Sequence, residues 1–366
     1  MSFSSLGERV SVGVKARVLY SRLLSEDDYL MLLDSETVAR ALEKLKSTAY
    51  GEFLVSLTNE SHRHEIESAV KSTLISQAER FMVHLGTPRN NLFTAWFSLY
   101  EAENLKSIFR NIMSGRTSKD DLRRRLYPIK ATKISFEKVL LAKNFSDVAE
   151  ILRDTRFYKV LAEPLRSLSH GGERSLFPLE MALDAFVESA IFKALHKFEP
   201  AERAVLMPIF GTRVDLHNLY TLYRAMLFYD LTPEETLNRL LPVRYRISVS
   251  ALREAVRLKS FDDLRAFIKE GFPVYSQLIE DVSADEEAQL LIERNFKRYI
   301  YMQARKIFVA GSPDFHTAIA YFILRNSEIL DITRVIESVR YGYDRRKAAA
   351  YLVTPVVSGG ESEWRY

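Results

Sequence analysis

Leu179-Glu-Met-Ala-Leu183-Asp-Ala-Phe186-Val187-Glu-Ser-Ala190-Ile191-Phe-Lys-Ala194-Leu-His-Lys-Phe198 decides the fold. Its apolar residues step by three and four, which places them on one face of a helix. The same stepping recurs at Ile66, Val70, Leu74, Ala78, Phe81 and Leu85, and again at Ile292, Phe296, Ile300, Ala304 and Ile307. Two-residue alternation is nearly absent: Lys133–Phe136 and Arg244–Val249 are the best strand-like stretches, and both are short. Only 13 glycines and 11 prolines punctuate 366 residues, which suits long helices with few connections. The reading is an all-α chain.

Two patterns recur along it, each at intervals of about 115 residues. The first is a short apolar helix: Ser35-Glu-Thr-Val-Ala-Arg-Ala-Leu42, Phe145-Ser-Asp-Val-Ala-Glu-Ile-Leu152 and Phe261-Asp-Asp-Leu-Arg-Ala-Phe-Ile268. Each is followed by a tyrosine and a short apolar run, at Tyr50, Tyr158 and Tyr275. The second is Glu101-Ala-Glu-Asn104, Asp215-Leu-His-Asn218 and Glu328-Ile-Leu-Asp331. An arginine follows six residues later in the first two copies (Arg110, Arg224), whereas the third has Glu337. The reading is three helical repeats, 1–125, 126–240 and 241–366, the last with a flexible tail from Ser358. Each holds a pair of short helices and then two long ones. Pro128 and Pro242 mark the joints, where a helix cannot run through.

The chemistry is defined mostly by what is missing. The chain has no cysteine, hence no disulfide, thiolate metal site or cysteine nucleophile. It contains no G-x-x-x-x-G-K-[ST], G-x-G-x-x-G, G-x-S-x-G or H-E-x-x-H. His62 and His64 are the only close histidine pair, and residues two apart on a helix do not face each other. The acidic pairs Asp27-Asp28, Asp120-Asp121 and Asp262-Asp263 sit where short helices begin, which suits the helix dipole. No catalytic residue, metal or cofactor is expected. The longest wholly apolar runs, such as Ala204–Phe210, are far short of the ~20 residues of a membrane span. Met1–Leu24 lacks the apolar centre of a secretory signal, so a cytoplasmic protein is expected, peripheral to a membrane through a partner.

Charge is nearly balanced, 52 basic against 48 acidic residues, for a net of +4. Two basic clusters are concentrated, one around Arg123, Arg124 and Arg125, the other around Arg345, Arg346 and Lys347, with Tyr127, Tyr341 and Tyr343 among them. They read either as solvated helix ends or as a surface for RNA or an acidic protein. The acid–amide signature has two readings as well. Residues three apart share a helix face, so they can bond between helices or line a cavity or partner groove.

Lys15-Ala-Arg-Val-Leu-Tyr-Ser-Arg-Leu-Leu-Ser-Glu-Asp-Asp-Tyr29, Leu42-Glu-Lys-Leu-Lys-Ser-Thr-Ala-Tyr50, Asp215–Arg224 and Arg340-Tyr-Gly-Tyr343 resemble, in this order, the C-type stalk protein of V/A-type rotary ATPases, counterpart of the d-type protein of the eukaryotic vacuolar enzyme. The resemblance implies a funnel of three helical units about a pseudo-three-fold axis. It implies a non-catalytic central-stalk subunit of an ATP synthase or ion pump, one copy per complex, that joins the D- and F-type shaft subunits to the proteolipid ring and meets the membrane only through that ring. No nucleic acid is then a partner. A torque adapter needs large complementary surfaces and packed helices that deform little. Glu101, Asn104, Asp215, Asn218, Arg224, Glu328 and Asp331 are expected along or just behind a cavity wall that receives the shaft. The alternative is a free helical-repeat scaffold for a protein partner or RNA.

Overall fold

A computed structural model of the chain describes residues 3–58, 60–61, 63–169, 175–228, 231–280, 282 and 286–356. His62 and the tail from Ser358 lie outside them. The described residues are all-α, with no strand among them. The first helices are α1 (Phe3–Tyr20), α2 (Glu26–Leu33), α3 (Val38–Lys46), α4 (Gly51–Leu54), α5 (Arg63–Met82) and α6 (Arg89–Ser114). There follow α7 (Lys119–Arg125), α8 (Phe136–Leu141), α9 (Phe145–Leu152), α10 (Tyr158–Ser169), α11 (Phe177–Leu195) and α12 (Pro200–Phe228). The last are α13 (Pro233–Asn238), α14 (Val249–Ala255), α15 (Phe261–Gly271), α16 (Pro273–Ser276), α17 (Glu286–Ala310), α18 (Phe315–Tyr341) and α19 (Arg345–Ala350). The three amphipathic stripes of the sequence lie on α5, α11 and α17.

Local chemistry sets the helix ends. Ser25, Thr232 and Ser260 close capping boxes with Asp28, Glu235 and Asp263 at the starts of α2, α13 and α15. Thr37, Ser118, Asn144 and Ser248 cap α3, α7, α9 and α14 through one side-chain oxygen. The acidic pairs therefore sit in first turns, where the dipole favours them. Gly115 and Gly342, at φ +63° and +65°, end α6 and α18 in the left-handed conformation that costs a glycine nothing.

The helices form two compact units. One comprises residues 1–66, 204–240 and 244–366. In it Leu216, Leu219, Leu222 and Tyr223 of α12 share a core with Leu252 of α14, Phe261, Leu264 and Ile268 of α15, and Ile292 and Phe296 of α17. Each such side chain contributes about 1.5–3 kcal/mol on leaving water. In the same unit α18 packs against α17, α1, α2 and α3 and is buried along most of its length, its charged residues Arg325, Glu328 and Asp331 included. α1 docks through a stripe of one residue per turn. Arg9 reaches Asp314 at 2.8 Å, Gly13 lies against the Pro313–Asp314 backbone, and Arg17 donates to the carbonyls of Phe308 and Gly311.

The other unit comprises residues 67–203 and 241–243. Its centre is α6 against α11. Phe93, Phe97, Tyr100 and Tyr127 form a chain of rings with centroids 4.8, 5.2 and 4.7 Å apart. Two buried ion pairs brace it: Arg89 with Glu202 at 3.1 Å, and Lys106 Nζ with Asp184 at 2.6 Å. Burial disfavours the Lys106 charge, but Asp184 and Glu103 outweigh it and hold the ammonium protonated.

A Cβ at Gly13 would sit 2.1 Å from the Asp314 nitrogen, whereas one at Gly7 would meet nothing within 4 Å. Gly13→Ala is therefore expected to destabilise by about 1–3 kcal/mol, as overpacking does. Gly7→Ala on the same helix should be neutral or stabilising by up to about 1 kcal/mol. Thermal melts of the two variants check this.

Candidate functional site

The acid–amide signature falls on α6, α12 and α18, the long helices that follow α5, α11 and α17, and faces inward. Glu101, Asn104, Asp215, Asn218, Glu328 and Asp331 are all at most 4% exposed, and Arg224 is half-buried. A charge or amide in that setting must find donors or acceptors within the protein. Six of these positions sit on the same two turns of their helices, and five of them clamp a remote piece of chain.

On α6, the Asn104 side chain makes a two-point bond to one residue. Its Nδ2 donates to the Tyr127 carbonyl at 2.9 Å and its Oδ1 accepts the Tyr127 N–H at 2.8 Å. One turn earlier Glu101 accepts from Arg156, just ahead of α10. On α12, Asp215 does both tasks. It accepts the Arg246 N–H at 2.9 Å, and also the Tyr275 hydroxyl at 2.8 Å. Asn218 is buried one turn on, and the Arg224 guanidinium lies 5.7 Å from the Tyr220 ring centre. On α18, Glu328 accepts the Tyr50 hydroxyl at 2.7 Å, Arg325 Nη1 at 2.7 Å and the Leu24 N–H. Arg325 in turn lies over the Tyr50 ring, 4.1 Å from its centre. Asp331 accepts the Val353 and Thr354 N–H groups at 2.7 and 2.8 Å.

The pattern has two halves. Asn104, Asp215 and Asp331 each hold main chain just beyond the short helix that follows their own: Tyr127 after α7, Arg246 after α13, and Val353 and Thr354 after α19. Glu101, Asp215 and Glu328 each hold a side chain beside a short helix: Arg156 before α10, Tyr275 on α16 and Tyr50 before α4. The strand-like stretch at Arg244–Val249 is one of the clamped segments. Its N–H groups serve Asp215 instead of a neighbouring strand.

Burial dominates the electrostatics. It raises the carboxyls of Asp215 and Glu328 above the ordinary range, against the hydrogen bonds that favour the charge. Asp331 is pushed up to about 6 by burial, despite the two N–H groups and Arg334. Burial and the carboxylate neighbours hold Tyr50 and Tyr275 protonated as donors.

The third clamp belongs to a larger strap. Arg294 holds the Ala350 carbonyl at 2.6 Å, Arg334 that of Tyr351 at 2.8 Å, and Arg298 those of Leu352 and Val353 at 2.6 and 3.1 Å. With Asp331 on the Val353 and Thr354 N–H groups, four successive carbonyls and these two amides are held by side chains of α17 and α18. A pocket of about 290 Å³ lies beside it, lined by Tyr20, Tyr29, Tyr301, Glu328 and Thr354 among others. Arg156, Arg298 and Arg325 had no repeat signal in the sequence. Tyr50 and Tyr275 did, through the recurring tyrosine, but Tyr158 of that set makes no such bond to Glu101.

The basic clusters are on the surface. Arg123 bridges Asp120 and Glu137 at 2.7 and 2.9 Å, Arg124 pairs with Asp121 at 3.0 Å, and Arg125 is exposed. Arg345 pairs with Asp34 at 2.7 Å, and Arg346 and Lys347 are exposed in the first turn of α19. Among the described residues no cluster of His, Asp or Glu has the make-up of a metal site, and no helix is long and apolar enough to cross a membrane.

Fold and interior define an all-α protein whose buried ionisable groups hold its own chain together. The family model described as ATP synthase (C/AC39) subunit matches residues 12–351, and the chain belongs to that family. Its relatives are distant. The C-type subunit of the A-type ATP synthase of Pyrococcus horikoshii is 22% identical over 329 residues, 89% of this chain and 85% of that protein. The protein of the same name from Thermococcus onnurineus is 23% identical over 339 residues, 90% and 86% of the two chains. That of Methanosarcina mazei is 21% identical over 334 residues, 90% and 88%.

Tyr50→Phe and Tyr275→Phe each remove a donor from a buried carboxylate and should cost about 1.5–3 kcal/mol. Tyr158→Phe should cost under about 0.5 kcal/mol, as changes away from such features do. Urea unfolding of the three variants checks this. Asp331 carries a sign as well. Its folded pKa lies above the unfolded value near 3.8, so the folded state holds the proton more tightly. Stability from this group then rises as pH falls through about 6, and the burial cost is full above it. Compared with Asp331→Asn, the wild type should gain about 1 kcal/mol between about pH 7 and about pH 5. A difference that stays flat across that range would refute the shift.

Proposed function

We propose that this chain is a non-catalytic coupling subunit of a rotary ATP synthase or ion-pumping ATPase, carried in one copy between the central shaft subunits and the proteolipid ring. Membership in the ATP synthase (C/AC39) subunit family and relatives named as C-type subunits of A-type ATP synthases support the placing. The observation that carries the mechanical part is the recurrence of one clamp. Glu101 and Asp215 hold side chains that come next along the chain, Arg156 and Tyr275, whereas Glu328 of the last long helix holds Tyr50 near the chain's start. Three modules, 1–125, 126–240 and 241–366, that each grip the next, with the last gripping the first, would form such a pattern.

A coupling piece must pass on a load without yielding. Packed helices at interior density have low compressibility. Clamps whose donors and acceptors are buried resist slippage, because breaking one strands a charge away from water. The same saturation argues against chemistry. Glu101, Asp215, Glu328 and Asp331 are occupied by Arg156, tyrosines and main-chain N–H groups, so none stands ready as a general base. On this reading the seven signature residues act behind the working surfaces, fixing the modules that carry them. Contact with the membrane would run through the ring.

The test is a gentle-detergent pull-down of the tagged chain with mass spectrometry of everything retained. Shaft subunits, ring proteolipid and ATPase head subunits are expected together. Recovery of RNA or of soluble proteins alone, with no proteolipid, would overturn the assignment and leave a helical-repeat scaffold.

A further inference from the structure

The cavity of about 290 Å³ beside the 350–354 strap lies within one compact unit, where α1, α2, α17 and α18 converge. Three tyrosines line it, Tyr20 at the end of α1, Tyr29 on α2 and Tyr301 on α17. Ser21, Ser25, Thr354 and one acid, Glu328, complete its polar wall. Among the described residues that line it there is no lysine, arginine or histidine.

The protons of this wall are directed elsewhere. Ser21 donates its hydroxyl to the Val18 carbonyl at 2.8 Å, and Ser25 donates to Asp28 at 2.7 Å. The N–H groups of Leu23, Leu24 and Ser25 go to the Tyr20 carbonyl, Glu328 and Asp28. The Thr354 hydroxyl bonds Asp331, and an ionised carboxylate only accepts, so Thr354 is the donor there. Its oxygen is then left to accept from Tyr29 at 3.4 Å, and Tyr301 bonds it as well. Glu328 accepts Tyr50 and Arg325 on Oε1, but only the Leu24 N–H on Oε2. A carboxylate has about four lone-pair sites, so Oε2 can take another donor. Burial still raises this carboxyl above its ordinary range despite those bonds, so its charge is incompletely matched.

The cavity is therefore offered lone pairs, aromatic rings and one negative charge. An anion would find neither donor nor cation in such a wall, and a neutral alcohol would have only one proton per oxygen to give it. A protonated amine is all donor, carries the opposite charge and is attracted to tyrosine rings. The volume exceeds the roughly 150 Å³ that admits benzene, so an amine with several carbons fits.

We propose that this cavity binds a small primary alkylammonium ion, its N–H groups shared between Glu328 Oε2 and the tyrosine and serine oxygens, with its carbons beside Leu23 and Leu324. The inference rests on the cavity alone and stands whether or not the coupling reading does.

The test is isothermal titration calorimetry of putrescine into the full chain at pH 7 and fixed ionic strength. One saturable site is expected, with a melting temperature that rises with putrescine because the folded state alone binds it. Butane-1,4-diol has the same length without charge, and tetramethylammonium has charge without N–H. Each should bind at least about tenfold more weakly, the difference that one lost charge-assisted hydrogen bond makes. Tyr29→Phe with Tyr301→Phe removes two oxygens, keeps both rings and should weaken putrescine about tenfold. Tyr341→Phe, at an exposed ring outside the cavity, should change it less than about twofold. Should the double variant melt early, Tyr301→Phe alone should still weaken binding about threefold or more. The proposal is overturned by the absence of both saturable heat and a rise in melting temperature, by equal affinity for butane-1,4-diol or tetramethylammonium, or by undiminished binding in the cavity variants.

Discussion

A carboxylate taken out of water must be given donors where it lands, and in this protein that requirement organises the chain. Asp215, Glu328 and Asp331 are almost wholly buried on α12 and α18. Leaving any of them without partners would cost several kcal/mol. Their partners come from far along the sequence: Tyr275 lies 60 residues from Asp215, and Tyr50 lies 278 from Glu328. Apolar packing alone tolerates sliding and repacking. A carboxylate that accepts an O–H or N–H within about 3 Å has few acceptable arrangements. The apolar faces bring the helices together, and the polar clamps choose how.

The clamps also divide their work among chemical types. Where main chain must be held, an asparagine or aspartate presents a short, stiff acceptor, and Asn104 both gives and takes because it meets a full peptide group at Tyr127. Where a side chain must be held, the long helix offers an acid and the short helices a tyrosine or an arginine. Tyrosine suits a buried acid because its hydroxyl stays protonated there and its ring adds apolar area. Arg156 replaces it in one copy, where the donor is part-exposed and a charge can be borne. Such an interior resists slippage, because breaking a clamp leaves a polar group stranded away from water.

The two basic clusters of the surface differ in their surroundings. The basic run on α7 is largely spent on its own neighbours, and exposed pairs of that kind add little to stability. The corner at α18–α19 sets exposed cations beside two exposed rings, and its backbone is fixed by a left-handed glycine and an aspartate cap. Sequence composition alone could not separate the two, because both read as arginines beside acids and tyrosines.

The helices were legible because their cause is local: stripes at three- and four-residue steps on α5, α11 and α17, and acidic pairs in the first turns of α2, α7 and α15. The acid–amide signature was legible as well, since its spacing recurs along the chain, and so was the recurring tyrosine. Their pairing was not. Nothing near Glu328 in sequence points to Tyr50, and nothing near Asp331 points to Val353 and Thr354, because a hydrogen bond between distant segments leaves no period to read. Arg156 in place of Tyr158, Asp215 doing two tasks, and Arg294, Arg298 and Arg334 binding the 350–354 backbone depend on which atoms the folded helices bring within reach. The sequence by itself determined an all-α chain with polar groups at set places on its long helices. Only the tertiary structure decided that those groups face inward and what each one holds, since burial and partner choice are properties of the packed chain.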